Sequence, residues 1–181
     1  MKFLKSEKAT VLVELGVAIP VLMVLIFSGL EIARYMLAHQ KVSRLATSIA
    51  DISSQGQAIS EAEISNLFLA TEFIAGNLDF DTKGHMKLTA VSVDTNNLAI
   101  VDWQRQFGAD FGAKSDSRIG APGGGAALPA NLALTPGEGV IIAEVFYDYE
   151  ALLFGELISN DLVYKRAYYR PRFGALQEVL P

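Results

Sequence analysis

Residues 10–30, TVLVELGVAIPVLMVLIFSGL, form a nearly unbroken apolar run interrupted by one acid, Glu14, and one proline, Pro20. A helix that crosses ~30 Å of hydrocarbon needs ~20 such residues, so the run is long enough to span a bilayer. It exceeds the ~7–15-residue apolar region of a cleaved secretory signal. Lys2, Lys5 and Lys8 stand in front of it against one acid, Glu7; Glu31 and Arg34 follow it. Cationic flanks stay in the cytoplasm. The expectation is a single span, a cytoplasmic N-terminus, and a C-terminal domain on the far side, which is the periplasm in a Gram-negative host.

Glu14 is costly in lipid, and a carboxylate inside a span usually has a partner or a task. It lies one turn in from Thr10, where an acid can also snorkel to the interface. Pro20 has no N–H to donate and its ring crowds the carbonyl of residue 16. That residue is Gly16, a poor helix former. Gly16 to Pro20 is therefore expected to be a soft or kinked segment, which membrane helices tolerate. Gly29 and Ala33 form a small-xxx-small pair that lets helices approach closely in lipid.

No breaker follows Leu30. From Glu31 to about Ile52 the apolar residues Ala38, Val42, Leu45, Ala46 and Ile49 recur at three- and four-residue steps, with Lys41, Arg44 and Asp51 off that line. A single helix is predicted from Thr10 to near Ser53, stopping by Gly56. Its first half belongs in a membrane and its second half on a globular domain. Ser60-Glu61-Ala62-Glu63 reads as a capping box, and Ile64, Leu67, Phe68, Thr71 and Ile74 make one apolar stripe ending near Gly76. Glu61, Glu63 and Glu72 read as first-turn acids and a solvated face rather than an acid/base set.

Strand-like runs occupy the rest. Met86–Asp94 and Leu98–Gln106 flank Thr95-Asn96-Asn97 and read as a hairpin, with Thr89, Val91 and Val93 on one face and Ala99, Val101 and Trp103 together on another. Trp103, the only tryptophan, reads as a core anchor. Phe107–Pro136, with Gly123-Gly124-Gly125 at its middle, reads as one long surface loop. No P-loop lysine follows these glycines. Val140–Tyr149 is a strand with Ile141, Ala143, Val145, Tyr147 and Tyr149 on one face. Glu150–Ile158 is short and apolar, a helical turn or a loop. Leu162–Arg170 is a fourth strand whose cations suit a sheet edge. The fold class is α+β: a long N-terminal helix on a small antiparallel sheet of about four strands, with a second helix. The parts are a basic leader at 1–9, a span at 10–30, an amphipathic extension at 31–56, and a domain at 57–181.

Composition excludes several chemistries. A net charge of −5 argues against nucleic acid as a partner. The chain has no cysteine, which removes thiolate catalysis, iron–sulfur clusters and thiolate zinc. His39 and His85 lack metal-ligand spacing, and Asp79 and Asp81 begin a calcium-like series that fails at Met86 and Leu88. No cofactor, metal or small-molecule substrate is indicated, and the chain does not read as an enzyme.

The leader, then Ala9-Thr10-Val11-Leu12-Val13-Glu14, then Pro20, resembles the N-terminus of type IV-type prepilins, most closely the TadE/TadF-like pseudopilins of the tight-adherence (Tad) pilus. The resemblance implies cleavage by a prepilin peptidase between Ala9 and Thr10, with alanine where glycine is usual. It makes Glu14 the fifth mature residue, which in that family compensates the N-terminal ammonium of a neighbouring subunit, and it puts Pro20 in the matching place. Val101-Asp102-Trp103, Tyr147-Asp148-Tyr149 and Arg170-Pro171-Arg172 also look like the ectodomain of TadE-like proteins. The implied function is that of a minor pilin in the inner membrane. Its partners would be the peptidase, other pilins or pseudopilins, and the inner-membrane assembly platform. The alternative is an uncleaved, single-span binding or sensor module that uses the 107–136 stretch for contact.

Overall fold

The computed structural model describes residues 7–76, 78–152 and 162–181. In chain order the elements are α1 (Glu7–Ser53), β1 (Ile59–Ser60), α2 (Glu61–Ala75), α3 (Phe80–Lys83), β2 (Gly84–Val93), β3 (Ala99–Gly108), β4 (Gly139–Asp148), β5 (Leu162–Tyr169) and β6 (Val179–Leu180). This is the α+β class expected, with one helical turn, α3, beyond the two helices read from the sequence. Most of the 1–9 leader and most of the Glu150–Ile158 run lie outside the described residues.

The chain divides into two units, residues 1–37 with 150–160, and residues 38–149 with 161–181. In the first, α1 is helical through Gly16 and Pro20. Nearly all its apolar side chains from Val11 to Leu30 are exposed.

In the second unit the remainder of α1 buries Ala38, Val42, Leu45, Ala46 and Ile49, the stripe set by the sequence, together with Ala50. The helix ends at Ser53, three residues before Gly56. The Ser53 hydroxyl donates to the Ile49 carbonyl at 2.6 Å and the Ser54 hydroxyl to that of Asp51 at 2.7 Å, local serine-to-backbone bonds of the kind that compete with further helix. The capping box forms as read: Glu63 N–H donates to Ser60 Oγ at 3.2 Å, and Ser60 N–H donates to Glu63 Oε2 at 2.8 Å. α2 then buries Ile64, Phe68, Thr71 and Ala75.

The sheet is antiparallel with strand order β3-β2-β4-β5. In the β2–β3 turn Asp94 Oδ1 accepts from Asn96 N–H at 2.9 Å and Leu98 N–H at 2.8 Å, and Asn97 takes the left-handed conformation that asparagine tolerates. Register puts Met86, Leu88 and Ala90 in line with Val145, Ala143 and Ile141 on one face, and His85, Lys87, Thr89 and Val91 in line with Phe146, Glu144, Ile142 and Val140 on the other. α2 covers the first face. Phe68 stacks on Phe107 at 5.4 Å, and Glu61 pairs with Arg105. Glu61 is thus more than a first-turn acid, and the guanidinium holds its carboxyl below the usual range.

Two expectations are corrected here. Val101 and Trp103 do not share a face, because a bulge shifts the register: Val101 pairs with Val91, and Trp103 pairs with Ala90. Asp102 is the extra residue, and a bulge of this kind turns the next side chain over. Its carboxyl accepts from Ser92 Oγ at 2.8 Å, while burial raises its pKa. Trp103 is a core residue as read, and its Nε1–H donates to the Leu176 carbonyl at 2.8 Å.

The second correction concerns Phe107–Pro136, which is not a free surface loop. Ile119 is buried with Val91, Val101, Val140 and Ile142 on the second face, and Ala126, Leu128, Leu132 and Leu134 pack against them. Val101 N–H donates to the Gly124 carbonyl at 2.9 Å, Gly123 N–H to that of Val101 at 2.7 Å, and Ala126 N–H to that of Ala99 at 2.8 Å. The glycines permit this approach. A Cβ on Gly120, with φ of +138°, would stand 2.8 Å from the Gly125 carbonyl oxygen. An apolar second face left uncovered would have exposed several large side chains, and this stretch supplies the cover.

The cover is pinned by Glu144, which is fully buried. Its carboxylate accepts from the Ser117 hydroxyl, from Arg118 N–H at 2.9 Å and from the Tyr164 hydroxyl at 2.8 Å. Lys87 and Arg166 stand opposite it in register. Burial, and then the Glu144 charge, push the Tyr164 phenol well above its ordinary pKa. Glu144→Ala leaves three donors without an acceptor and is expected to cost about 3 kcal/mol. It should also open the chain to trypsin at Arg118; unchanged stability with unchanged cleavage would contradict this role.

His85 is buried, its Nδ1 lies 2.7 Å from the Ala109 carbonyl, and its Nε2 has no hydrogen-bond partner among the described residues. Burial depresses its pKa below 6.5, assisted by the Lys87 charge and opposed by the Ala109 carbonyl. The unfolded imidazole therefore takes up a proton first. The contribution of His85 is intact above its ordinary pKa and is lost as pH falls below it. The urea midpoint should drop between pH 7.5 and 5.5, and by less in His85→Asn; equal drops would refute the assignment.

Candidate functional site

α1 between Thr10 and Leu37 carries every residue singled out at the N-terminus. Ala9 and Thr10 lie within the helix. Glu14 is exposed, and no hydrogen bond or ion pair reaches it among the described residues. Pro20 sits inside the helix, so the Gly16 carbonyl lacks its usual donor four residues on. A Cβ built on Gly16 or on Gly29 would meet nothing within 4 Å. Gly29 and Ala33 are both exposed, one turn apart. Among the described residues nothing fills the space at either glycine.

From Thr10 to Leu37 every residue but Ser28, Glu31 and Tyr35 is exposed, so rows at helix-packing spacing lie open along the whole stretch. Val11, Leu15, Ala18, Leu22, Leu25, Gly29, Ile32 and Met36 follow one another at alternating steps of four and three. This is the spacing of a helix–helix seam. All eight are exposed, and the seam runs past Leu30, where the sequence reading had ended the span. At 100° per residue Glu31 falls on the opposite side of the helix from Gly29.

Glu31 was read only as a flanking acid. In the first unit it is buried, with a relative exposure of 1%, and it accepts from Leu152 N–H at 3.3 and 3.2 Å on its two oxygens. A carboxylate directly after an apolar run was the one available signal. It could not reveal a main-chain partner 121 residues away.

No group of three or more His, Cys, Asp or Glu that could hold a metal ion occurs among the described residues. The chemistry this surface offers is association: apolar side chains, two gaps at glycine, and one carboxylate.

Residues 9–51 match the family model for TadE-like protein. The match covers the helix that bears Ala9, Thr10, Glu14, Gly16, Pro20, Gly29 and Ala33, and extends to the buried stripe at Ile49. It is the family that the N-terminal motif resembles, and it supports a component associated with Tad pili. No curated protein and no solved structure matches the chain significantly.

The helix passes the length and composition test for one membrane span. Leu22→Arg with Val24→Arg places two cations at the centre of the run, at a cost of about 6 kcal/mol on insertion scales. The doubly substituted chain should be extracted from membranes at alkaline pH while the parent chain stays in the pellet. Retention of both would contradict the reading of this helix as the anchor.

Proposed function

We propose that this chain is a minor pilin or pseudopilin-like component of Tad-type pilus assembly, held in the inner membrane by α1 with its C-terminal domain in the periplasm. The observation that carries the reading is the exposed seam from Val11 to Met36, lying within the TadE-like match. A lone anchor needs only apolar residues in any order. A seam with a gap at Gly29, one turn from Ala33, suits a helix that packs on other helices.

The mechanism follows from the helix. After insertion, a prepilin peptidase on the cytoplasmic side removes residues 1–9. Cleavage leaves an α-ammonium on Thr10. A neighbouring subunit's Glu14 then meets that ammonium in a weakly polar setting, where opposite charges attract far more than in water. That pairing fixes the axial register of adjacent helices. The missing hydrogen bond between Gly16 and Pro20 gives the helix one place to bend as it moves from bilayer to assembly. The periplasmic domain primes, caps or adapts the assembly.

The alternative, an uncleaved binding module that uses the 107–136 stretch, has less support. That stretch places Ile119, Leu128, Leu132 and Leu134 on its own sheet, which leaves few of its apolar side chains for a partner.

Co-expression with a prepilin peptidase should yield a chain whose N-terminal residue is Thr10, and Ala9→Leu should prevent this. Glu14→Ala should leave membrane insertion intact and strongly reduce surface pili. A wild-type chain that keeps Met1 beside an active peptidase, or normal piliation of the Glu14 variant, would overturn the proposal.

A further inference from the structure

In the second unit an open groove of about 530 Å³ lies between α1 and β5, lined by His39, Ser43, Arg44, Thr47 and Ser48 of the helix and by Lys165 of the strand. No carboxylate lines it among the described residues. This is unusual on a chain of net charge −5. Most other arginines of the unit are engaged: Arg105 with Glu61, Arg170 with Glu138, Arg118 over Tyr164 and Arg166 over Tyr168. Arg44 and Lys165 make no ion pair and no hydrogen bond among the described residues. The Thr47 hydroxyl donates to the Ser43 carbonyl at 2.9 Å. The Ser43 and Ser48 hydroxyls make no hydrogen bond of their own among the described residues. The groove thus presents a guanidinium, an ammonium and two unspent hydroxyls to one space, the donor set that suits a phosphate oxyanion.

Its place along α1 indicates where that phosphate comes from. The exposed apolar side chains run to Leu37. Arg44 follows seven residues later, about 10 Å along the axis. The polar layer outside the hydrocarbon is about 5–7 Å deep on each side, and the long stems of Arg and Lys reach down the remainder. An acidic chain tethered beside an anionic bilayer is repelled from it, and a local pair of cations free of acids offsets that repulsion.

We propose that this groove binds the phosphate of an anionic phospholipid headgroup where α1 leaves the membrane. The inference rests on the reading of α1 as a span. It adds a lipid ligand held by residues outside the helix seam.

The test uses the full chain in nonionic detergent, titrated separately with phosphatidylglycerol, phosphatidylcholine and inorganic phosphate, with the thermal unfolding midpoint as readout. Phosphatidylglycerol should give a saturable rise with an apparent affinity about tenfold above that for phosphatidylcholine. Arg44→Gln with Lys165→Gln should abolish the preference, and Arg44→Lys should keep most of it. A charge-matched control, Lys114→Gln with Arg172→Gln, should leave it unchanged. Equal affinity for the two lipids overturns the proposal, as does a preference that survives the paired substitution at Arg44 and Lys165. The same saturable rise with inorganic phosphate alone also overturns it, since the ligand is then a free oxyanion. Failure of α1 to insert, seen by alkaline extraction, refutes the membrane reading itself; an inserted chain without lipid preference refutes only the headgroup site.

Discussion

Seventeen large apolar side chains of α1 between Val11 and Leu37 stand 39% to 69% exposed. At roughly 1 kcal/mol for each half-exposed side chain, covering them is worth about 20 kcal/mol. That exceeds the ~5–15 kcal/mol by which a domain is usually stable. Water cannot be the working environment of such a surface. A helix is the form that can leave water, because it satisfies its own backbone hydrogen bonds. Pro20 is the one point where that satisfaction lapses. On the proposed reading the same surface would serve both insertion and association, since in lipid helix packing is decided by side-chain fit rather than by escape from water.

The second unit shows what the chain does with apolar surface when it can cover it. Both faces of the sheet are buried. α2 packs on one face through Phe68 and its Glu61–Arg105 pair, while the glycine-rich stretch packs on the other through Ile119 and three leucines. Glu144 is the charged residue this arrangement encloses most completely, and it is satisfied from the cover and from β5 together. A unit closed in this way leaves its partner-binding potential at its polar grooves and exposed helix, not at its sheet.

Much of this was legible in the sequence because the signals were local. The α1 stripe, the Ser60–Glu63 box and the asparagine turn at Asn97 depend on residues within one or two turns of each other, and each formed as read. What was hidden depended on distance. The bulge at Asp102 is set by which β2 residue it faces, so strict alternation put Val101 and Trp103 together when they point apart. The glycine-rich stretch looked loose because the four large aliphatic residues it lays on the sheet are spread over sixteen positions, from Ile119 to Leu134. Only the sheet face beneath gives them a common side. Glu31 read as a flanking acid, Glu61 as a first-turn acid, and Glu144 drew no reading; each gained a partner from far along the chain. At the candidate site, Ala9, Glu14 and Pro20 were visible as a motif, whereas the continuation of apolar exposure past Leu30 to Leu37 became visible only in the structure.

The central claim is that α1 works by lying against other helices. Site-specific photo-crosslinking from Leu22, at the middle of the seam, in piliated cells addresses it most directly. The account predicts a protein–protein adduct from Leu22, to a second copy or to a pilin helix, and none from Phe27, which lies about 160° around the helix from both Leu25 and Gly29. Lipid adducts alone from Leu22, with pili assembled normally, would contradict it.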